Sequence, residues 1–442
     1  MAITSKKKLI LIPSKAMDGN KKKSRNENGL VRMPARARSF MSFDDDQVEI
    51  WPQGGAEERK NSVLLDIFQA FAADVNEAKK MVRAGTLKSS DLNRVGFVTT
   101  KMYNRITGGD SERNIWISAG VHDTVVGADP EFLLFNAEGN VVGANGVGGM
   151  SKTTKIGYDG AMCEVRPSPA TSPAGLVRNI RSCFEDPDLV RPIEKYDWMT
   201  GCYFKDNRRD YPMGGHIHVG NPAKVARMTM VKRELFFNVL NKIMDELIAL
   251  PCVRLDGDMG NKRRCLCSMG KFGYFGEWRN HNGRLEHRTL SGMWLLHPSL
   301  ARAVIGTAKA VTDEVFKRWA SHDFNHNYIV PDKYSEFEGN PRGMNRVDFS
   351  GWRDLPICKD MNAVMPSKDL KAALDNSKGG DVTKGFLNSW HSKMKRLSTY
   401  KTHSKYIDGL REILSVPMND ISNWDRKIKN NWLRNKKFIV DV

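Results

Sequence analysis

Four short segments of the chain concentrate side chains that bind metal ions and phosphate: GADPEFLLF (127–135), DGAMCEVRPSP (159–169), GGHIHVG (214–220) and GRLEHRTLSG (283–292). Side chains alternate along an extended backbone, so residues two apart share a face. One face then carries Asp129 with Glu131, Glu164 with Arg166, His216 with His218, and Arg284 with Glu286 and Arg288. The opposite face carries Cys163, Val165, Ile217, Val219 and Leu285, which suit a core. Taken singly, these groups have ordinary readings. Asp129-Pro130-Glu131 fits a turn entering a strand, Glu164 with Arg166 a surface ion pair, and residues 284–288 a cross-strand ladder of charges. Four strands repeating the pattern with carboxylates, imidazoles and guanidinium groups, rather than lysines, read instead as one site.

The donor set selects the chemistry. Several carboxylates with histidine suit a hard divalent cation, and magnesium completes its octahedron with waters and substrate phosphates. Arginines beside such a cation have a purpose if they neutralise phosphate through planar, paired contacts. The expected chemistry is nucleotide phosphoryl transfer, in which positioning and charge neutralisation do most of the catalysis. Arg263, Arg264 and Arg279, in a glycine-containing stretch before Glu286, either extend the phosphate clamp or form a solvated basic loop. A metal hydrolase with zinc on His216 and His218 is an alternative, but it leaves the arginines without a role. The stretch 146–152 has neither P-loop nor dinucleotide-fingerprint spacing, and no G-x-S-x-G elbow is present.

The elements that must position these residues follow from periodicity. Segments 113–136, 141–167, 201–220 and 271–291 show short alternating runs broken by Gly, Asp and Asn, the pattern of strands and hairpins. Helical spacing marks 62–84 and, from the cap and proline of Thr171-Ser172-Pro173, a helix to about residue 185. A long amphipathic helix is expected over 223–250, stopped by Pro251, and another from Pro298 to Trp319. Amphipathic stretches recur near 386–397, 405–415 and 422–436. The fold class is α+β, a sheet with helices inserted between its strands. Four regions are expected: a basic flexible arm (1–45), a helical or mixed extension (46–120), the catalytic domain (121–325) and a basic, mainly helical extension (326–442).

The chain of 442 residues carries a formal charge of +18. That alone would suggest nucleic acid, yet residues 1–40 hold +9 of it and residues 380–442 hold +7. The body is nearly neutral, so polyanion contact is expected of the two ends only. The seven cysteines lack framework or zinc spacing, which fits a reducing, cytoplasmic setting without secretion. No apolar run approaches a membrane span.

At the four segments the sequence resembles the glutamine synthetase and glutamate-cysteine ligase superfamily, and within it the carboxylate-amine ligases (amidoligases, type 2) of tailed bacteriophages. GADPEFLLF resembles the strand that opens the synthetase catalytic domain, GGHIHVG its histidine strand and GRLEHRTLSG its R-x-E-x-R strand. The phage ligases add DGxxxEvRPxP, here Asp159 to Pro169, and an Arg-Arg pair, here Arg263-Arg264. The resemblance covers roughly residues 121–320. It implies a glutamine synthetase-like domain, a curved antiparallel sheet with helices packed on its outer face. It also implies one magnesium on Asp129, His216 and Glu286, and another on Glu131 and Glu164. Arg284 and Arg288 would contact phosphates or an acyl phosphate, His218 and Arg166 would lie toward the nucleotide phosphates, and Arg263, Arg264 and Arg279 would extend that set. Two positions depart from the family: Asp129 replaces a glutamate, and Ser172 stands where a further carboxylate is common, which leaves the count at one or two ions.

The function expected is an ATP- and Mg2+-dependent ligase that forms an amide or peptide bond through an acyl phosphate. Alternatives are a guanidino-kinase-like phosphotransferase and a non-catalytic virion or nucleic-acid-associated protein. The carboxylate and amine substrates are small molecules or peptides, and the amine site is expected from loops around the sheet or from a neighbouring subunit of an oligomer. If phage-encoded, the protein is expected in the host cytoplasm.

Overall fold

Alternating polarity builds the sheet. In the computed structural model, strands β1 (Val126–Phe135), β2 (Ile156–Asp159), β3 (Met162–Val165), β4 (Gly215–Val219), β5 (Trp278–His281) and β6 (Arg284–His287) lie in the order β5-β6-β4-β1-β3-β2. Every pairing is antiparallel, and Val141–Val142 and Asp197–Met199 add to β1 beyond β4. The sheet curls into a half-barrel. The structure describes residues 116–434 apart from 119, 122, 123, 208, 268–271, 282 and 331–350, together with Phe438 and four short early strands. Those strands pair as Leu9–Pro13 with Val95–Thr99 and Met41–Asp44 with Gln47–Ile50. They belong to one compact unit, Met1–Ile115, and the sheet to another, Trp116–Val442. The helix expected over 62–84 and most of the basic arm lie outside the described residues.

Ile217, Val219, Leu285, Cys163 and Val165 are fully buried on the helix-facing side, as their alternation requires. Each apolar side chain so buried contributes roughly 1.5–3 kcal/mol. A one-residue slip of β6 would exchange Leu285 for Glu286 in that core, so the alternation that builds the site also fixes its register. Pro130 lies mid-strand without an N–H to give. The Glu131 N–H points to β4, 2.8 Å from the Gly214 carbonyl, so the missing donor of Pro130 faces β3, whose pairing starts only at Glu131.

Helix α1 (Pro173–Glu185) starts where expected, with Ser172 Oγ accepting the Gly175 N–H at 3.1 Å. Helix α2 (Met230–Met244) does not stop at Pro251. It passes through a π-helical turn, Asp245–Ala249, into Leu250–Asp256. The Leu247 carbonyl, which an α-helical residue 251 would satisfy, accepts instead from Trp390 Nε1 at 2.7 Å. Helix α3 (Pro298–Ser321) opens at Pro298 as expected and buries Lys309, whose Nζ lies 2.9 Å from the Thr124 carbonyl and 3.0 Å from Asp313 Oδ1. That paired charge ties the entry of β1 to the helix layer.

The C-terminal region is helical, with α4 (Lys384–Met394) and α5 (Tyr400–Leu414) joining the same core cluster as the sheet. Helix α5 approaches α3 at Gly306, where a Cβ would fall 2.5 Å from Tyr406 Cβ. Among the described residues no helix is long and apolar enough to cross a membrane.

Candidate active site

Register assembles the polar face. Asp129 stands opposite His216, Glu131 opposite Glu164, and His281 opposite Arg284. One row runs Arg279, Glu286, His218, Gly127 across four strands. Gly127 has no side chain because the Trp116 ring fills its place. That ring meets the His218 ring edge-on at 5.7 Å and lies 4.4 Å from the Arg284 guanidinium. At Gly214 a Cβ would fall 2.5 Å from His216 Nε2, so the glycines flanking the histidine pair give the ring its room.

Asp129, His216, His218, Glu131 and Glu286 are all buried. Asp129 Oδ2 is 3.1 Å from His218 Nε2. Asp129 Oδ1 and His216 Nδ1 are 3.0 Å apart, yet neither buried atom has a hydrogen bond of acceptable direction. His216 Nδ1 is also 3.5 Å from Glu286 Oε1. Burial pushes the Asp129 carboxyl up, but His218 and His216 outweigh it and hold the group well below its ordinary range. Burial likewise opposes ionisation of Glu286; the His281 hydrogen bond and the two imidazoles bring it to about 2. Burial lowers His216, and Asp129 more than reverses this, so the ring is shifted upward. At Glu131 burial prevails over His216 and the Gly214 N–H, 2.5 Å from Oε2, and the carboxyl is raised to about 7.

Arginines hold the carboxylates from the sheet edge. Arg288 donates from Nη1 to Glu286 Oε1 at 3.1 Å and from Nε to Glu277 Oε1 at 3.0 Å. Arg279 donates from Nε to Glu286 Oε2, with half of its side chain (50%) exposed. Arg284 lies 3.3 Å from His218 Nδ1. Arg166 pairs with Glu164 and reaches the Tyr158 and Thr154 carbonyls, both at 3.3 Å, so it positions Glu164 against β2.

Two expected phosphate ligands are committed elsewhere, which corrects the sequence expectation. Arg263 is fully buried and donates to the Thr289, Arg288 and Leu290 carbonyls at 2.9, 3.4 and 3.0 Å. Arg264 pairs with Asp256 at 2.7 Å and reaches the Ser377 carbonyl at 3.2 Å. Arg263 braces the backbone that carries Arg288, and Arg264 ties Asp256 to the backbone at Ser377. Conversely, Glu277 and His281 join the site without having been singled out. The signal was present, since Glu277, Arg279 and His281 alternate along the β5 segment as the other site residues do on theirs.

The donors fit a divalent cation at Asp129, His216 and Glu286. Their ligand atoms lie within 4.8 Å of one another, and two of them are the orphaned buried pair. Glu131 and Glu164 face each other, but among the described residues no third His, Cys, Asp or Glu completes a set with them. Ser172, at the position where the family often has a carboxylate, is instead the α1 cap. All seven cysteines are free thiols, six of them buried; burial raises Cys202, for one, to about 12, which disfavours a thiolate nucleophile.

Residues 126–336, which carry the curled sheet and its inward face, match the family model described as phage phiEco32-like COOH.NH2 ligase-type 2. No curated relative matches the chain. Among solved structures it is similar to a bifunctional glutathione synthetase from Pasteurella multocida, with TM-score 0.37 and 12% identity over 71% of this chain and 49% of that one. A second similar structure is a novel glutamine synthase homolog, with TM-score 0.28 and 12% identity over 66% of this chain and 70% of that one. The chain spans about half the length of the glutathione synthetase.

Proposed function

We propose that the protein is an ATP-dependent ligase that joins a carboxylate to an amine through an acyl phosphate. The observation that carries this reading is the convergence of Asp129, His216 and Glu286 on one point, with Arg288 and Arg279 on the same glutamate. A substrate carboxylate oxygen would take the terminal phosphoryl group of ATP, releasing ADP. An amine would then attack the acyl carbon, the C–N bond forming as the C–O bond to phosphate breaks, with loss of a proton from nitrogen.

Magnesium held by Asp129, His216 and Glu286 would supply positive charge to the phosphate oxygens. The chain's own residues do the rest. Arg279, half exposed, is free to turn from Glu286 to a phosphate, while Arg288 is fixed between Glu277 and Glu286 and offers a guanidinium that costs no reorganisation. Arg284, stacked on Trp116, keeps His218 turned toward Asp129. The substrates fit the class of small-molecule or peptide carboxylates and amines.

The test is ADP formation that depends on an added amine acceptor, with product analysis for an amide and free phosphate. Glu131→Ala and Glu286→Ala should each abolish it. Normal turnover in both variants would remove the site assignment. A phosphorylated product without free phosphate would replace the ligase by a phosphotransferase.

A further inference from the structure

Glu286 is shared between two groups of donors. Its Oε1 lies 3.5 Å from His216 Nδ1. Its Oε2 lies 3.2 Å from His281 Nδ1 and 3.9 Å from His218 Nε2. Atoms bound side by side to one ion at about 2.1 Å stand about 3 Å or a little more apart, so each oxygen belongs to a different cation position. The Oε1 position is the one described above. The Oε2 position has two imidazoles and one carboxylate, again with ligand atoms within 4.8 Å of one another.

We propose that His218, His281 and Glu286 form a second cation site, bridged to the first through Glu286, that takes a divalent transition metal in preference to magnesium. The donor set is the argument. Magnesium favours oxygen ligands in a strict octahedron and gives up water reluctantly, whereas imidazole nitrogen suits zinc, cobalt and the later first-row ions. Access is the second argument. Glu286 is fully buried, but His281 sits on β5 at the end of the strand order with its side chain 34% exposed, on the solvent side of the glutamate.

The place of the ion is now taken by a guanidinium. Arg279 donates to the same Oε2, and its side chain is 50% exposed, so it can leave without unpacking the fold. Metal binding therefore releases Arg279, and removing Arg279 favours the metal. A His218 that ligates through Nε2 gives up its 3.1 Å hydrogen bond with Asp129 Oδ2 and, carrying its ring proton on Nδ1, the long 3.3 Å contact with Arg284. Loss of these three contacts is the cost of loading.

The experiment is a cobalt(II) titration of the full chain, stripped with chelator and free of nucleotide, followed by calorimetry and by the visible absorption of imidazole-bound cobalt. Two ions per chain are expected for the unaltered protein. His281→Asn should leave one, and Arg279→Gln should keep two and tighten the second at least tenfold. A thousandfold excess of magnesium should not remove the ion that depends on His281. One ion per chain, an unchanged count in His281→Asn, or full displacement by magnesium would overturn the proposal. If His281→Asn fails to fold by circular dichroism, Arg279→Gln decides alone, and unchanged affinity in it overturns the proposal. With no nucleotide or acceptor present, the count is independent of turnover. An active ligase binding one cobalt sinks this inference alone, and an inactive protein binding two sinks only the ligase reading.

Discussion

Asp245 gives the structure a measurable dependence on pH. It sits in the π-helical turn, wholly buried, and accepts from the Thr289 hydroxyl at 2.6 Å and from the Gly276 N–H at 2.8 Å. Burial raises its carboxyl from 3.8 to about 8, against the pull of those two hydrogen bonds. The folded state therefore holds a proton that the unfolded chain releases near pH 4. Stability from this group is complete below the unfolded value, falls as pH rises toward 8, and levels off above it. One proton corresponds to a slope of about 1.4 kcal/mol per pH unit, so about 3 kcal/mol is lost between pH 5 and 7.5. Asp245→Asn cannot ionise, and its amide can accept from only one of the two donors, so at pH 5 the variant should be the less stable. Its deficit should shrink by about 3 kcal/mol by pH 7.5. Urea unfolding of both proteins across that range reads the difference, in which every other titrating group cancels. Parallel curves would refute the reasoning, because they would mean that Asp245 is ionised in the folded state throughout.

Glu277→Gln keeps a side chain able to accept the Gly273 N–H but removes the charge that orients Arg288. A charge-assisted hydrogen bond of about 1.5–3 kcal/mol translates to a fall in kcat/KM of roughly ten- to hundredfold in the ADP assay, mostly in kcat. Gly214→Ala drives a methyl against His216 Nε2 and should weaken cation binding at Asp129 while costing about 1–3 kcal/mol of stability. Trp390→Phe leaves the Leu247 carbonyl without its donor and should cost about 1–3 kcal/mol, visible as a lower thermal midpoint. Neutralising Lys6, Lys7, Lys8, Lys21, Lys22 and Lys23 to Gln should weaken binding to a polyanion and flatten its salt dependence without abolishing ATP turnover. It is a cleaner change than deleting the arm, because Leu9–Pro13 pairs with Val95–Thr99.

The site was legible where chemistry and local periodicity coincide. The alternation of Asp129 and Glu131, of His216 and His218, and of Arg284, Glu286 and Arg288 fixes a shared face, because a strand has no other way to turn its side chains. Ser172 and Pro298 start helices for reasons confined to one turn. Pro251 was misleading because its consequence is settled by Trp390, far along the chain, whose indole takes the carbonyl that the proline leaves free. Arg263 and Arg264 were misleading for a related reason. Spacing shows that a guanidinium is near a site but not which way it points, and here the π-helical turn Lys262–Leu266 sends both into backbone carbonyls and Asp256.

Charge balance explains why so many arginines accompany so many carboxylates. Asp129, Glu131, Glu164, Glu277 and Glu286 crowd a largely buried face, and carboxylates there without partners would protonate rather than stay charged. At Glu131 burial prevails and the carboxyl rises to about 7, whereas at Glu286 the His281 hydrogen bond and the His218 and His216 imidazoles outweigh burial and bring it to about 2. The three histidines thus keep Glu286 ionised against its burial, and the two guanidinium groups paired with it differ in how easily they yield. Arg288 is pinned by Glu277, while Arg279 is half exposed and ends on Glu286 alone among the described contacts. The arginine that can move is the one beside the proposed nitrogen-rich cation position, so loading that position would also free Arg279 for the phosphate contact proposed for it.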